Sequence, residues 1–354
     1  MPSTPPIDEI FKLAVKQKAS DVHIISGMHP ILRIDGELVA LETYPILSAK
    51  DTEAMCHALV TEKQWTSFVE DRELDISYEI PKVSRYRVNM LWEKNEAGLV
   101  ARIISSTIPT MEELDMPKIV FDLIRLKQGL ILVTGPTGCG KSTSLAAMIN
   151  LINRERHAHI VTLEDPIEFI YTPDKSIIRQ RQLGTDMLSF AQGLKHVLRQ
   201  DPNVILVGEM RDLETIASTI TLAETGHLVL ATLHTLNAAQ TVDRIIDVFP
   251  PYQQPQVRLQ LSLFLKGIVS QMLLPKVNGG RVAAREVLIN TPAISNLIRE
   301  NKIAQVKTAI QTSADEGMVT MDQSVKRLFE GGMISEEVAV SYMNNPQVLA
   351  TNGS

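Results

Sequence analysis

One octapeptide limits what this chain can become more than any other stretch. Residues 135–142 read Gly-Pro-Thr-Gly-Cys-Gly-Lys-Ser, which satisfies G-x-x-x-x-G-K-[ST] in full. Its flanks agree with it: an apolar β-type run, Leu130–Thr134, leads in, and a helix-forming run, Ser142–Leu151, leads out. Glycines at this spacing let the backbone curl until successive N–H groups point inward. The following helix adds the positive end of its dipole, so strand, loop and helix together form an anion cradle. The alternative, a chance glycine-rich turn, does not require both flanks. The pattern assigns Gly135, Pro136, Thr137, Gly138, Cys139, Gly140, Lys141, Ser142 and Thr143 to a nucleotide, with Lys141 reaching the β- and γ-phosphates. It also places the Ser142 hydroxyl on Mg²⁺. ATP and Mg²⁺ are thus the expected ligands. Cys139 inside the loop is either an activated thiol or a small filler, and its packing character favours the filler.

A parallel sheet around that loop follows from the runs that come after it. Leu130–Thr134, His159–Leu163, Val204–Val207 and Leu228–Thr232 are nearly continuous apolar stretches separated by helical ones. That texture belongs to a parallel sheet covered on both faces. Carboxylates stand where such strands end, beside the ligand-binding edge. Val204–Glu209 is an apolar strand closing on an acid, so Glu209 is the candidate for the Mg²⁺ shell. His159–Leu163 runs into Glu164-Asp165-Pro166-Ile167-Glu168, and three acids this close need a cation among them, such as Mg²⁺ with Lys141. Glu164 is the candidate to orient an attacking water, with a solvated acidic turn as the alternative. His227 and His234 bracket the Leu228–Leu233 stretch and read either as strand-end residues or as sensors of a terminal phosphate.

The chain ahead of the loop has a different character. Ile7–Lys18 is amphipathic at helical spacing, and Asp21–Ile25 and Ile31–Ile34 are short β-runs closing on Asp35-Gly36, a hairpin-turn signal. A helical stretch over Ala49–Phe68 precedes strands at Leu74–Ile80, Tyr86–Trp92 and Leu99–Ile104. Residues 1–105 are expected to form a small α+β domain, 106–117 a linker, 118–290 the nucleotide-binding core and 291–354 a helical region with a frayed tail. Thr110 and Glu113 in the linker are spaced as a helix capping box. Arg85, Arg87 and Arg102 lie on neighbouring strands of the first domain, either as a solvated face or as a source of an arginine finger.

Composition narrows the function classes. A net charge of −6 and 5% aromatics argue against a basic, aromatic-lined nucleic-acid channel, although a local basic patch fits inside an acidic total. Two cysteines far apart, Cys56 and Cys139, exclude a disulfide framework or tetracysteine zinc site and fit a reducing cytoplasm. The start lacks the basic and apolar regions of a signal peptide, and no apolar run approaches membrane-spanning length. Any membrane association is therefore expected through a partner.

Together these segments resemble the PilT-type retraction ATPases of type IV pili, within the secretion-ATPase superfamily. The resemblance is carried by Ala19–His23, Arg33–Gly36, Arg85–Asn89, the phosphate loop, Leu163–Glu168 (the Asp box), Ile205–Asp212 (Walker B), Thr225–Thr235 (the His box), Gly280–Ala284 and Gly317–Asp322. It implies a PAS-like N-terminal domain, a RecA-like α/β core with a parallel sheet and a helical C-terminal region. It also implies a homohexamer with nucleotide between N-terminal and core domains. Such a ring would act in the cytoplasm on an inner-membrane pilus platform protein, alone or with a second retraction ATPase. By the same resemblance Glu164 is the catalytic glutamate, Glu209 the Walker B acid, His227 and His234 the His-box residues, and Arg85, Arg87 and Arg102 the arginine-bearing region. At Ala293–Glu300 the chain departs from the family's A-I-R-N-L-I-R-E motif, because Ser295 stands where its first arginine belongs. An accessory ATPase of the PilU type is the nearest alternative. Assembly and secretion ATPases of the superfamily usually carry long N-terminal extensions, and in many a tetracysteine insert, which this chain lacks.

Overall fold

The computed structural model describes residues 7–34, 36–104 and 107–350. Among these, one compact unit takes the chain through Thr107 together with Glu168–Ile170, and a second takes Ile108–Ile167 and the chain from Tyr171 onward.

In the first unit the apolar positions Ile7, Ile10, Phe11 and Ala14 are buried along helix α1 (Ile7–Lys16). Strands β1 (Asp21–Ile24), β2 (Ile31–Ile34) and β3 (Glu37–Ala40) follow, then helices α2 (Ala49–His57) and α3 (Glu62–Asp71), then β4 (Glu73–Ile80), β5 (Ser84–Glu93) and β6 (Glu96–Ile104). They form an antiparallel sheet in the order β3-β2-β1-β6-β5-β4. Ile34 of β2 lies opposite Glu37 of β3, while Asp35 of the expected turn falls outside the described residues. The helix expected over Ala49–Phe68 is in fact two. Thr61 starts a fresh one, its hydroxyl accepting from the Gln64 amide while the Gln64 side chain accepts from the Thr61 amide. A capping box inside a periodic stretch restarts the helix.

Strand alternation sorts the side chains of this sheet. Val22, Leu32, Val88 and Ala101 share the buried face, where Phe11 stacks on Tyr86 at 4.4 Å between ring centroids. The opposite face carries a transverse row in register, Arg33–Asp21–Arg102–Arg87.

The second unit opens with a turn rather than a helix. Thr110 and Glu113 make the reciprocal capping bonds, 2.7 and 3.1 Å, yet these close a turn over 111–115, and α4 (Lys118–Ile124) begins only after Pro117. Met111 and Met116 are buried and the Arg285 guanidinium donates to the carbonyls of Leu114 and Asp115, so this end of the expected linker packs within the unit. Ser105 and Ser106 lie outside the described residues.

The core then alternates: β7 (Gly129–Thr134), α5 (Lys141–Glu155), β8 (His159–Glu164), β9 (Ile177–Gln182), α6 (Phe190–Val197), β10 (Val204–Val207), α7 (Leu213–Glu224), β11 (Leu228–Leu233), α8 (Ala238–Asp247), α9 (Gln254–Phe264), β12 (Leu265–Pro275) and β13 (Arg281–Ile289). The sheet order is β13-β12-β7-β11-β10-β8-β9, parallel throughout except for the β12–β13 pair. β7, β10 and β11 are buried at every position, as their unbroken apolar runs require. Helices α10 (Pro292–Arg299), α11 (Val306–Thr312), α12 (Met321–Glu330), α13 (Glu336–Tyr342) and the short α14 (Gln347–Ala350) complete the described chain. Met321, Val325, Leu328 and Ala339 from α12 and α13 pack with Leu274 and Ala284 of the β12–β13 pair. The frayed tail expected at residues 350–354 lies outside the described residues except for Ala350. The architecture is a RecA-like α/β core with a PAS-like α+β unit and a helical C-terminal region. Among the described residues no helix is long and apolar enough to cross a membrane.

Candidate active site

The phosphate loop leaves the carboxyl end of β7 and turns through three glycines with positive φ: Gly135 at 143°, Gly138 at 78° and Gly140 at 88°. At Gly135 the need for glycine is steric as well as conformational, since a Cβ there would sit 2.2 Å from the Gln271 carbonyl oxygen and 2.7 Å from Cys139 Sγ. Gly140 is the N-cap of α5, which puts Lys141, Ser142 and Thr143 in the helix's first turn, where N–H groups lack partners of their own. The Lys141 amine lies over the loop, donating to the carbonyls of Gly135 at 2.8 Å and Pro136 at 3.1 Å.

A neighbouring strand braces this loop. Gln271 of β12 is 1% exposed; its amide donates to the Cys139 carbonyl at 2.7 Å and its carbonyl accepts from the Ser144 hydroxyl at 2.9 Å. Just below, the Thr134 hydroxyl donates to Ser270 at 2.8 Å. Gln271→Ala would leave two buried polar groups unpaired, each costing about 1–3 kcal/mol. We expect this variant to melt earlier than wild type and to bind ADP at least about ten-fold more weakly, as read by calorimetry. Burial pushes the Cys139 thiol up despite the nearby Lys141, which is the behaviour of a packed filler rather than a reactive thiolate.

Parallel pairing brings three further groups to the same edge of the sheet. β11 is hydrogen-bonded to β7, β10 to β11 and β8 to β10, so their carboxyl ends stand side by side. Past β11, His234 places Nδ1 3.5 Å from both Lys141 Nζ and Thr137 Oγ1, and Nε2 3.0 Å from Glu209 Oε1. Past β10, Glu209 completes the line with Arg211 Nη2 at 2.8 Å from its other oxygen. Burial pushes the Glu209 carboxyl up, but the Arg211 hydrogen bond and the charges of Arg211, His234 and Lys141 outweigh it and hold the group below the usual carboxylate range. Glu164 ends β8 at 8% exposure, its Oε1 accepting from Thr162 Oγ1 at 2.6 Å and Gln180 Nε2 at 3.2 Å. Gly208 permits the two acidic strand ends to approach, since a Cβ on it would stand 3.0 Å from the Leu163 carbonyl and 3.2 Å from Glu164 Cα. Asp165, next in the acidic cluster, is exposed.

Not every expected residue joins this group. His227 precedes β11, and Gly129 at the start of β7 donates to its carbonyl. It therefore lies at the opposite edge of the sheet, a strand length of roughly 20 Å from the loop. There its Nδ1 is 3.0 Å from the Leu222 carbonyl and 3.2 Å from the Thr225 hydroxyl, at the end of α7. Arg85, Arg87 and Arg102 share the outer face of the other unit's sheet, with Arg102 Nε 3.0 Å from the buried Asp21 carboxylate. Ser295 points inward, its hydroxyl donating to the Ser262 carbonyl of α9 at 2.6 Å, where the Asn290 amide also donates at 3.0 Å.

Gln271, Arg211, Thr162 and Gln180 escaped the sequence reading. A buried glutamine on an apolar strand and a polar residue on an edge strand carry no spacing signal. Arg211, two residues after the strand-end acid, was the one with a readable position.

The donor set suits a Mg-nucleotide. Ser142 and Glu209 offer the hard oxygens that Mg²⁺ prefers, and Lys141 with the amides of the loop and of the first turn of α5 offers positive charge to phosphates.

Comparison with known proteins identifies the family. The family model described as type II/IV secretion system protein matches residues 2–340. The type IV pilus retraction ATPase PilT of Pseudomonas aeruginosa is 47% identical over 333 residues, 94% of this chain and 96% of that protein. The type IV pilus ATPase PilU of the same organism is 40% identical over 339 residues, 96% of this chain and 88% of that protein. A crystal structure of the pilus retraction motor PilT with bound ADP superimposes with a TM-score of 0.92 at 44% identity, covering 98% of this chain and 99% of that one. The chain belongs to the type II/IV secretion system protein family and, within it, to the PilT-type ATPases.

Proposed function

We propose that this protein is a motor ATPase that couples ATP hydrolysis to retraction of a type IV pilus. The observation that carries the reading is the line Lys141–His234–Glu209 at the carboxyl edge of the parallel sheet, with the buried Glu164 ending a strand beside it. Glu164 takes the part of the base, orienting water and accepting its proton in a pocket where Thr162 and Gln180 fix the carboxylate. Lys141 moves from the loop carbonyls onto the phosphates, and His234, already tied to Glu209, meets the terminal phosphate. Ser142 and Glu209 would hold Mg²⁺, which would supply positive charge against that of the phosphates. Arg85, Arg87 and Arg102 are the arginines assigned to nucleotide, supported by the register that puts Arg87 and Arg102 opposite each other on one face.

The working assembly in this reading is a homohexamer in the cytoplasm, peripheral to the inner membrane through the pilus platform protein and operating with or without a second retraction ATPase. ATP favours a closed arrangement of the domains and hydrolysis releases it, a population shift that pulls subunits from the pilus base. Supporting this, PilT of Pseudomonas aeruginosa is named a type IV pilus retraction ATPase and a Neisseria gonorrhoeae relative, 47% identical, a twitching motility protein. Deleting the gene tests the direction of work. Pili should accumulate on the cells while twitching is lost; a bald deletion strain would instead identify an assembly ATPase. Ser295 favours the accessory alternative, in which the purified protein alone would leave pili extended and retraction would need its companion.

A further inference from the structure

Glu286 lies on β13 at 6% exposure, in register with Ser270 of β12. Its carboxylate meets two helix starts. Oε1 accepts from the Ala238 amide at 2.8 Å, and the carboxylate also accepts from the Met321 amide. Ala238 and Met321 are the first residues of α8 and α12. A helix cannot satisfy its own first amides. In α8 the Asn237 side chain accepts from the Gln240 amide, and in α12 the Thr320 hydroxyl accepts from the Gln323 amide. Those caps reach the third position and leave the first amide of each helix to Glu286. Burial pushes the Glu286 carboxyl up, and the two amides and helix dipoles that converge on it act against that push by favouring its charge.

What α8 follows gives this contact its interest. The helix begins four residues after His234, and the short segment between them is closed by a 2.7 Å contact of the Thr235 and Thr241 hydroxyls. α12, the other arm, is packed with α13 in the C-terminal helical region. Ser270, opposite Glu286, accepts from Thr134, the last residue before the phosphate loop.

We propose that Glu286 is a positioning residue: by pinning the start of α8 it holds His234 within reach of Glu209 and Lys141, and by pinning α12 with the same carboxylate it ties that placement to the C-terminal helices. The inference rests on the reading of His234 as the group that meets the terminal phosphate. A shift of the α8 start in either direction strains a bond on the carboxylate that α12 shares. Glutamine keeps the shape but presents one acceptor oxygen and a donor, so one of the two helix starts is released.

The test uses Glu286→Gln, His234→Ala and the double variant of the full chain, with steady-state ATP turnover and hydrogen exchange at the Ala238 and Met321 amides. We expect Glu286→Gln to lower kcat about ten-fold with KM for ATP changed by less than about two-fold, the pattern of lost positioning. Added to His234→Ala it should cost nothing further, because both act through one group. Exchange should quicken at the start of α8 or α12 while β7 stays protected. Should Glu286→Gln fail to fold, Glu286→Asp, which keeps the charge on a shorter arm, carries the same measurements with a smaller drop in kcat. Additive losses in the double variant overturn the proposal, as does a lowered melting temperature with unchanged kcat. If His234→Ala alone leaves kcat at the wild-type value, the reading of His234 falls first and takes this inference with it; if only the additivity fails, that reading stands.

Discussion

Replacing Glu164 by glutamine is expected to lower ATP turnover by about 10²–10⁴-fold while leaving nucleotide binding intact. The carboxylate ends β8 at 8% exposure, and Thr162 and Gln180 both donate to Oε1, so the group is aimed before any substrate arrives. Glutamine fills the same volume but cannot take a proton from water. Nothing in the loop or in Lys141 changes, so ADP should raise the melting temperature of this variant and of the wild type alike. Wild-type turnover in this variant would remove Glu164 from the chemistry and shift attention to Glu209.

Lys141→Ala should fail one step earlier, at binding. The lysine brings the charge nearest to where phosphates would lie, and of its hydrogen bonds to the loop the one to Gly135 is part-buried and the one to Pro136 exposed. Truncation should therefore leave the fold within about 1–3 kcal/mol of wild type, the scale of two hydrogen bonds near the surface. For the wild type, ADP at 100 times its Kd stabilises the folded chain by about 2.7 kcal/mol. The variant should show little of that shift, and its turnover should drop by about 10²–10³-fold, the usual effect of removing one preorganised charge. The two variants thus separate: one melts higher with ADP and does not turn over, the other does neither. A full ADP shift in Lys141→Ala would mean that the backbone amides alone hold the phosphates.

The features legible in the sequence share a physical cause. Buried parallel strands are unbroken apolar runs because both faces are covered, so β7, β8, β10 and β11 stood out and their carboxyl ends located the loop, Glu164, Glu209 and His234. β9 is mostly polar at the edge of the sheet, and β12 follows α9 at Leu265 without a turn residue to announce it. Periodicity alone does not reveal either. Thr110 and Glu113 have the chemistry of a helix cap and use it on a turn, since Pro117 delays the helix. The two histidines look like a pair in the sequence, but the strand between them is a spacer that sends His227 to the far edge. Gln271 and Glu286 could not be read at all: each serves backbone groups that become neighbours only after β12 and β13 have joined the sheet.

Ser295 can be judged by what it touches. Its hydroxyl and the Asn290 amide converge on one carbonyl of α9, and Asn290 also reaches the Leu265 carbonyl at 2.8 Å. The corner between α9 and α10 is thereby knotted from within. A long cationic arm at that position would have to abandon the knot and extend away from it, leaving the carbonyl to Asn290. Putting an arginine back would therefore loosen a joint as well as add a charge, and a gain or loss of pulling force in such a variant would report on stiffness as much as on electrostatics.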